Sequence, residues 1–410
     1  MALIEFSGLE YRMAGRLSIP LTIIIILLVS LFMLINPEAT VQAASQGIIL
    51  WYATVLPALF PFFIVAELLV KIRLVHFLGV LLEPIMRPLF RLPGCSSLVV
   101  VMGFTSGFPV GAVLTRKLYE QDMLSSEEAE RLFSFTNNAS PLFILGAVGV
   151  GMLGNPAAGY LLALAHYISN LMVGFLWRFR GKPGPDKGMP LGLRFSQAYR
   201  SLTPDSPAPP ESIGKMLGDA VRSSLGNVMA VGGFIVVFSV VTRMLSNGGV
   251  IDLMAASVMR LLGTFGLGYP QAYGLCMGIM EMTLGIKTAV SSITEHQMLA
   301  VLIVISAILA FSGLSIIAQI MSIMAGMPVR LSFYILSRLI QVVLSCLITV
   351  LAYKIALIHG IGSLGVNSIP YYKILYAFNA WTFSLISIGV AGIILALMLL
   401  AAALRTSKSS

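Results

Sequence analysis

Gly103-Phe-Thr-Ser-Gly-Phe-Pro-Val-Gly-Ala112 and Gly278-Ile-Met-Glu-Met-Thr-Leu-Gly-Ile-Lys-Thr288 interrupt two apolar stretches about 175 positions apart. Each interruption combines glycines with hydroxyls, and the second adds Glu281 and Lys287. A lipid-facing helix has no use for such residues, because unpaired backbone and charge are costly in hydrocarbon. Broken segments at corresponding places in two halves of a chain mark a transporter's binding site.

The composition sets the class around these segments. Hydrophobic residues make up 58% of the 410 and charged residues 10%, with mean hydropathy +0.93. Soluble domains carry roughly 25% charge, so the chain belongs in a bilayer. The net charge of +9 fits basic loops on the cytoplasmic side better than a nucleic-acid partner. Cys95, Cys276 and Cys346 lie in or beside apolar stretches and read as small buried hydrophobes. The four histidines show no metal spacing, and no nucleotide loop, nucleophile elbow or paired catalytic carboxylates appear, so neither an enzyme nor a cofactor is expected.

Apolar runs predict full spans at 17–36, 48–70, 135–153, 157–178, 227–246, 298–326, 331–353 and about 380–404. The run at 17–36 is too long for a signal-peptide core and reads as a retained span. Spans 135–153 and 298–326 are interrupted, at Asn137-Asn-Ala-Ser-Pro141 and Ser312-Gly-Leu-Ser315. Lys71–Arg91 and Ile251–Leu262 read as amphipathic helices in the interface. Leu118–Arg131, with Ser125 and Glu128 in capping-box spacing, reads as a surface helix. The stretch 179–213, rich in Pro, Gly and charge, reads as a cytoplasmic linker.

The halves therefore share one plan, and the expected fold is an all-α polytopic membrane protein built of two repeats. Residues 1–46 form an N-terminal transmembrane anchor and external loop, 47–178 the first repeat, 214–354 the second, and 355–410 a final helix and tail. The distribution of Lys and Arg obeys the positive-inside rule only if 96–114 and 268–290 are both re-entrant hairpins. The repeats are then inverted, with both termini cytoplasmic.

The chemistry is expected at the hairpin tips and helix breaks: Thr105, Ser106 and Gly107; Asn137, Asn138 and Ser140; Glu281 and Thr283; Ser312 and Ser315, with Gln319 nearby. Half-helix N-termini attract anions, and Asn and Ser read carbonyls, hydroxyls and ring nitrogens. Glu281, at a cost of about 3 kcal/mol by insertion-scale analogy, is suited to hold substrate, a coupling proton or a sodium ion. Lys287 and Arg338 are candidate charge partners; Lys287 near a segment end also reaches water, and Arg338 is expected to snorkel to the inner surface. The expected partners are the bilayer and a small-molecule substrate, and a homo-oligomer is compatible with such a chain.

The patterns Gly103-Phe-x-Ser-Gly-x-Pro-x-Gly111 and Phe135-x-Asn-Asn-x-Ser-Pro141, with the two-half plan, resemble the sporulation integral membrane protein YlbJ family over about 15–405. The resemblance implies a nucleoside-recognition gate domain and an arrangement similar to concentrative nucleoside transporters, in which two inverted hairpins face two broken helices. By that likeness Glu281 stands where a hairpin glutamate contacts substrate, and Ser312 and Ser315 where a broken helix does. Thr105-Ser106-Gly107 departs from the Gln-Thr-Glu of nucleoside transporters. The family is associated with spore heat resistance and with movement of dipicolinic acid across the outer forespore membrane. That implies dipicolinate as substrate, with a nucleoside carrier or a non-transporting spore-assembly component as alternatives.

Overall fold

The computed structural model describes residues 23–72, 74–180, 196–200, 212–263, 266–291 and 297–358, together with Pro20. The expected C-terminal span, the start of the first span and most of the 179–213 stretch lie outside these residues.

All regular elements among the described residues are helical. Helix α1 (Ile23–Ile35) meets α2 (Pro37–Leu50) at an angle of 109°, at Asn36-Pro37. Proline is preorganised for the first turn of a helix and cannot continue the preceding one. The stretch expected as an external loop is thus the helix α2, which runs through a π-helical turn (Trp51–Val55) into α3 (Leu56–Lys71). The amphipathic α4 (Leu74–Phe90) follows, then a helical hairpin of α5 (Ser96–Ser106) and α6 (Val110–Glu120).

Next comes a broken pair, α7 (Ser126–Thr136) and a π-helix (Leu142–Met152), and then the long α8 (Pro156–Trp177). The order recurs. Helix α9 (Ile213–Asn247) is followed by amphipathic α10 (Val250–Leu262) and a hairpin of α11 (Tyr269–Met280) and α12 (Met282–Val290). A broken pair, α13 (Met298–Phe311) and α14 (Gly313–Ile323), leads into the long α15 (Leu331–Ile358).

Among the described residues, four helical stretches are long and apolar enough to cross a membrane, Pro156–Arg180, Ile213–Asn247, Met298–Ile323 and Leu331–Ile358, and the bent pair of α1 and α2 makes a fifth if it is one span. Helix α15 shows the inside-out pattern a bilayer demands. Leu336, Leu339, Val343, Leu347 and Leu351 are exposed, while Ser337, Arg338, Gln341, Ser345 and Thr349 are buried. In hydrocarbon the polar side chains are the ones that seek protein partners. Ser345 and Thr349 find one in Ser306 of α13, at 2.7 and 2.8 Å.

Both hairpins return to the end from which they start. At the base of the first, the Cys95 thiol donates to the Met123 carbonyl across 3.7 Å. Burial, with Glu83 and Glu128 nearby, pushes the pKa of that thiol up to about 12, so it stays a neutral donor. The second hairpin closes through glycine. A Cβ on Gly285 would lie 2.2 Å from the Gly278 Cα, and one on Gly274 2.6 Å from the Ala289 nitrogen. Only glycine allows backbones this close.

Helix α7 corrects the expected surface helix at Leu118–Arg131. The capping box at Ser125 and Glu128 is present, but from Ala129 onward α7 is buried and forms the first half of a broken segment. The segment therefore runs over 126–152 rather than 135–153, with its break near the middle.

Ionic contacts gather at one end of the bundle. Lys71 pairs with Asp219 at 2.9 Å, Lys117 with Glu67, and Arg116 donates to the Ile323 and Ala325 carbonyls at 2.5 and 3.2 Å. Arg330 wraps Glu130 with bonds of 2.9 Å from its backbone N–H, 2.9 Å from Nε and 2.5 Å from Nη2. These last contacts tie the first hairpin and α7 to the second broken pair and α15.

Gly285→Ala should separate α11 from α12 and lower stability by about 1–3 kcal/mol, the usual range for overpacking. A thermal-unfolding midpoint in detergent equal to that of the parent protein would contradict this packing.

Candidate functional site

The break between α7 and the π-helix exposes backbone groups that a continuous helix would have paired. Several of them are met by specific partners. The fully buried Arg338 on α15 donates from Nη1 to the Asn137 carbonyl at 3.2 Å and from Nη2 to the Ser134 carbonyl. It reaches Asn170 Oδ1 on α8 at 3.2 Å and lies over the Tyr334 ring at 5.2 Å. A guanidinium at a helix C-terminus meets both the free carbonyls and the negative end of the dipole. This overturns the expected snorkelling: Arg338 is fully buried and fastens the end of α7.

Helix α8 serves the next residue. Ala139 N–H donates to His166 Nε2 at 3.2 Å, and Tyr167 Oη donates to the Ala139 carbonyl at 2.9 Å. An accepting Nε2 puts the imidazole proton on Nδ1. Gln341 Nε2 lies 3.5 Å from that nitrogen and its Oε1 has no partner; turning the amide over puts the oxygen toward Nδ1–H and satisfies both groups. Ser140 Oγ caps the π-helix by accepting from Phe143 N–H at 3.2 Å.

The first hairpin leans on the same break. Asn137 Oδ1 accepts from Ala112 N–H of α6 at 2.8 Å, and its Nδ2 donates to the Phe133 carbonyl at 2.7 Å. A Cβ on Gly103 would fall 2.1 Å, and one on Gly111 2.5 Å, from the Thr136 carbonyl oxygen. Gly107 at the tip has φ of 91° and faces Ser140. The second pair is arranged alike. Ser312 breaks α13 from α14 in the left-handed region with φ of 73°, and Gly313 follows with φ of 81°. The Gly313 Cα packs against the Gly278 and Met280 carbonyls of the second hairpin. Glu281 caps α12, its Oε2 accepting from Leu284 N–H at 2.7 Å.

The two tips and two breaks surround one cavity of about 250 Å³. Six of the expected site residues line it: Ser106, Gly107, Ser140, Glu281, Thr283 and Ser315, with Gln319 beside them. Thr105, Asn137, Asn138 and Ser312 do not. Thr105 Oγ1 is turned back to the Val101 carbonyl at 2.9 Å, and Asn137 is consumed as a pin. Lys287 is exposed and makes no ion pair with Glu281. Leu50, Val55 and Leu59 of the α2–α3 rod and Val231 and Ile235 of α9 complete the wall. Sequence reasoning missed these because apolar residues in apolar helices carry no signal. It also passed over His166 and Tyr167, although the cluster His166, Tyr167, Ser169 and Asn170 in an otherwise apolar helix is the intramembrane polarity that marks function or a structural need.

The fold and site define a multi-pass membrane protein with a gate-type core of hairpins packed on broken helices. The family model for the nucleoside-recognition gate matches residues 52–156, from α3 to the start of α8. The chain is 40% identical over 324 residues to the sporulation integral membrane protein YlbJ of Bacillus subtilis (strain 168), covering 78% of this chain and 79% of that one. It belongs to the YlbJ sporulation family. A shorter match, 32% over 123 residues, covers 28% of the chain and 26% of an uncharacterised protein of Alkalihalophilus pseudofirmus. No solved structure matches.

Arg338→Met should leave the Ser134 and Asn137 carbonyls without donors and cost at least about 2 kcal/mol of stability. Because Arg338 does not reach the cavity, solute affinity measured on the folded fraction should stay as in the parent. Weaker affinity with unchanged stability would contradict the fastening role.

Proposed function

We propose that this chain is a membrane transporter of a small polar or anionic solute, and that the solute is dipicolinic acid, moved across the outer forespore membrane during sporulation. The observation that carries the proposal is the meeting of both hairpin tips and both helix breaks at one cavity. A scaffold has no need to bring four interruptions to a single hollow.

In this reading residues 47–178 and 214–354 are inverted repeats joined by a cytoplasmic linker, and both termini are cytoplasmic. The recurring element order and the ionic contacts at one end of the bundle support it. Alternating access then follows from exchanging the conformations of the two repeats.

The cavity suits a small planar ring that carries polar groups. Phe108 and Phe143 offer ring faces, and Ser106, Ser140, Thr283, Ser315 and Gln319 offer hydrogen bonds. The N-termini of α6, the π-helix, α12 and α14 begin at its tips and breaks, where the positive ends of the helix dipoles favour carboxylate, with Asn137, Ser140 and Glu281 already accepting from the Ala112, Phe143 and Leu284 N–H groups. The carbonyls at the end of α7 are already taken by Arg338, which leaves the N-termini dominant on that side. Glu281 opposes a dianion, and no lysine or arginine lies among the described lining residues. The solute therefore enters with a proton or a cation, which assigns Glu281 to coupling.

A second reading is a nucleoside carrier. The nucleoside-recognition gate match supports it, as does the presence of both the Glu281 acceptor and the Gln319 amide among the lining residues.

Purified protein in liposomes should take up labelled dipicolinate, faster under an imposed proton or sodium gradient. Uridine and adenosine should not compete. Competition would favour the nucleoside carrier, and absence of any flux would favour an assembly role. Glu281→Gln should abolish gradient-driven uptake and lower dipicolinate accumulation in spores; normal accumulation would remove Glu281 from its role.

A further inference from the structure

A second cavity, of about 350 Å³, lies at the charged end of the bundle, away from the hairpin tips. It is walled by the first turns of α7, the end of α8, and the segment leading into α15, and Arg131, Arg180 and Arg330 all face it. The acidic side chains there are Glu127 and Glu130. Glu130 is committed to Arg330 by three hydrogen bonds, and Glu127 is exposed to solvent.

Two of these arginines form no salt bridge among the described residues, although Glu130 lies within Coulombic reach of Arg180 and Glu127 and Glu128 within reach of Arg131. Arg180 has no carboxylate partner among the described residues. Its guanidinium is held over Phe333 at 5.0 Å and Trp177 at 5.7 Å. Stacking on two rings fixes its position while leaving its N–H donors free. Arg131 is 6% exposed; Nη1 and Nη2 donate to the Phe90 and Arg91 carbonyls at 3.1 Å, and its buried Nε has no partner. The N–H groups of Ser126 and Glu127, the first two residues of α7, also have no acceptor within their helix.

The surroundings say where an anion would come from. Leu171, Phe175 and Leu176 of α8 and Leu336 and Leu339 of α15 are exposed apolar side chains running away from this cavity along the bundle. The aromatic residues Trp177 and Phe333 sit where they begin, as interfacial aromatics do. A phosphate tethered to acyl chains meets both surfaces at once; a free phosphate uses only the first.

We propose that this cavity binds the phosphodiester headgroup of an anionic phospholipid, with Arg180 as its principal cation and the acyl chains along α8 and α15. Basic pockets between spanning helices commonly hold such headgroups. Bound there, the phosphate joins α8 to α7 and α15 at the end where Arg330 already links the latter two.

The test is thermal unfolding and native mass spectrometry of the full chain in detergent, titrated with phosphatidylglycerol, phosphatidylcholine or inorganic phosphate. Phosphatidylglycerol should stay bound and raise the unfolding midpoint, while phosphatidylcholine should not. Arg180→Gln should weaken phosphatidylglycerol binding about fivefold, the value of one interfacial cation. Arg180→Lys, which keeps the charge, should retain most of the preference. Equal binding of both lipids, an unchanged preference in Arg180→Gln, or equal loss in both variants would overturn the proposal. Protection by inorganic phosphate equal to that by the lipid would overturn the assignment to a lipid.

Discussion

A helix interrupted inside hydrocarbon must find protein partners for every amide and carbonyl that the interruption frees. The rest of this structure follows from meeting that demand twice. At the first break, Arg338, His166 and Tyr167 serve the backbone between Ser134 and Ala139, and the Asn137 side chain pins the break to α6. At the second, the left-handed Ser312 and Gly313 let α14 begin afresh against the carbonyls of the second hairpin. Neither break stands without its hairpin, and neither hairpin packs without glycines. Gly103 and Gly111 admit the Thr136 carbonyl, and Gly278 and Gly285 admit each other.

The same constraint creates the cavity. Side chains and backbone devoted to a break cannot also fill the space between breaks, so a hollow remains where the four interruptions meet. The division of labour is visible in neighbouring residues. Asn137 is spent on α6, and Ser140, three positions on, both caps the π-helix and faces the cavity. Glu281 does likewise, capping α12 while lining the hollow. A carboxylate held by a helix N-terminus is oriented before any solute arrives.

The interruptions were legible because glycine, proline, hydroxyls and charge stand out against apolar sequence. Hairpin bounds of 268–290 and a break at 312–315 fall where the helices divide. The first hairpin extends past 114 to Glu120, because α6 leaves the apolar zone before it ends. Helix α7 reads as a surface element because its capping box and first-turn acids outweigh the apolar Ala129, Leu132, Phe133 and Phe135 in any local average. Arg338 was misread for a different reason. Its partners are carbonyls about 200 positions away, and no local pattern announces a buried cation satisfied by backbone. Helix α2 falls where a loop is expected, because Pro37, Glu38 and Gln42 dilute its apolar content.

The central claim is that the two hairpin tips and the two breaks enclose a single solute site. The most direct measurement is thiol labelling in a background lacking the native cysteines, with Ser106→Cys and Ser315→Cys introduced separately. They lie about 200 positions apart in sequence and line the same cavity. The account predicts that both thiols react with a small water-soluble reagent and that dipicolinate protects both over one concentration range. Protection of one without the other, or reaction at both that dipicolinate leaves unchanged, would contradict it.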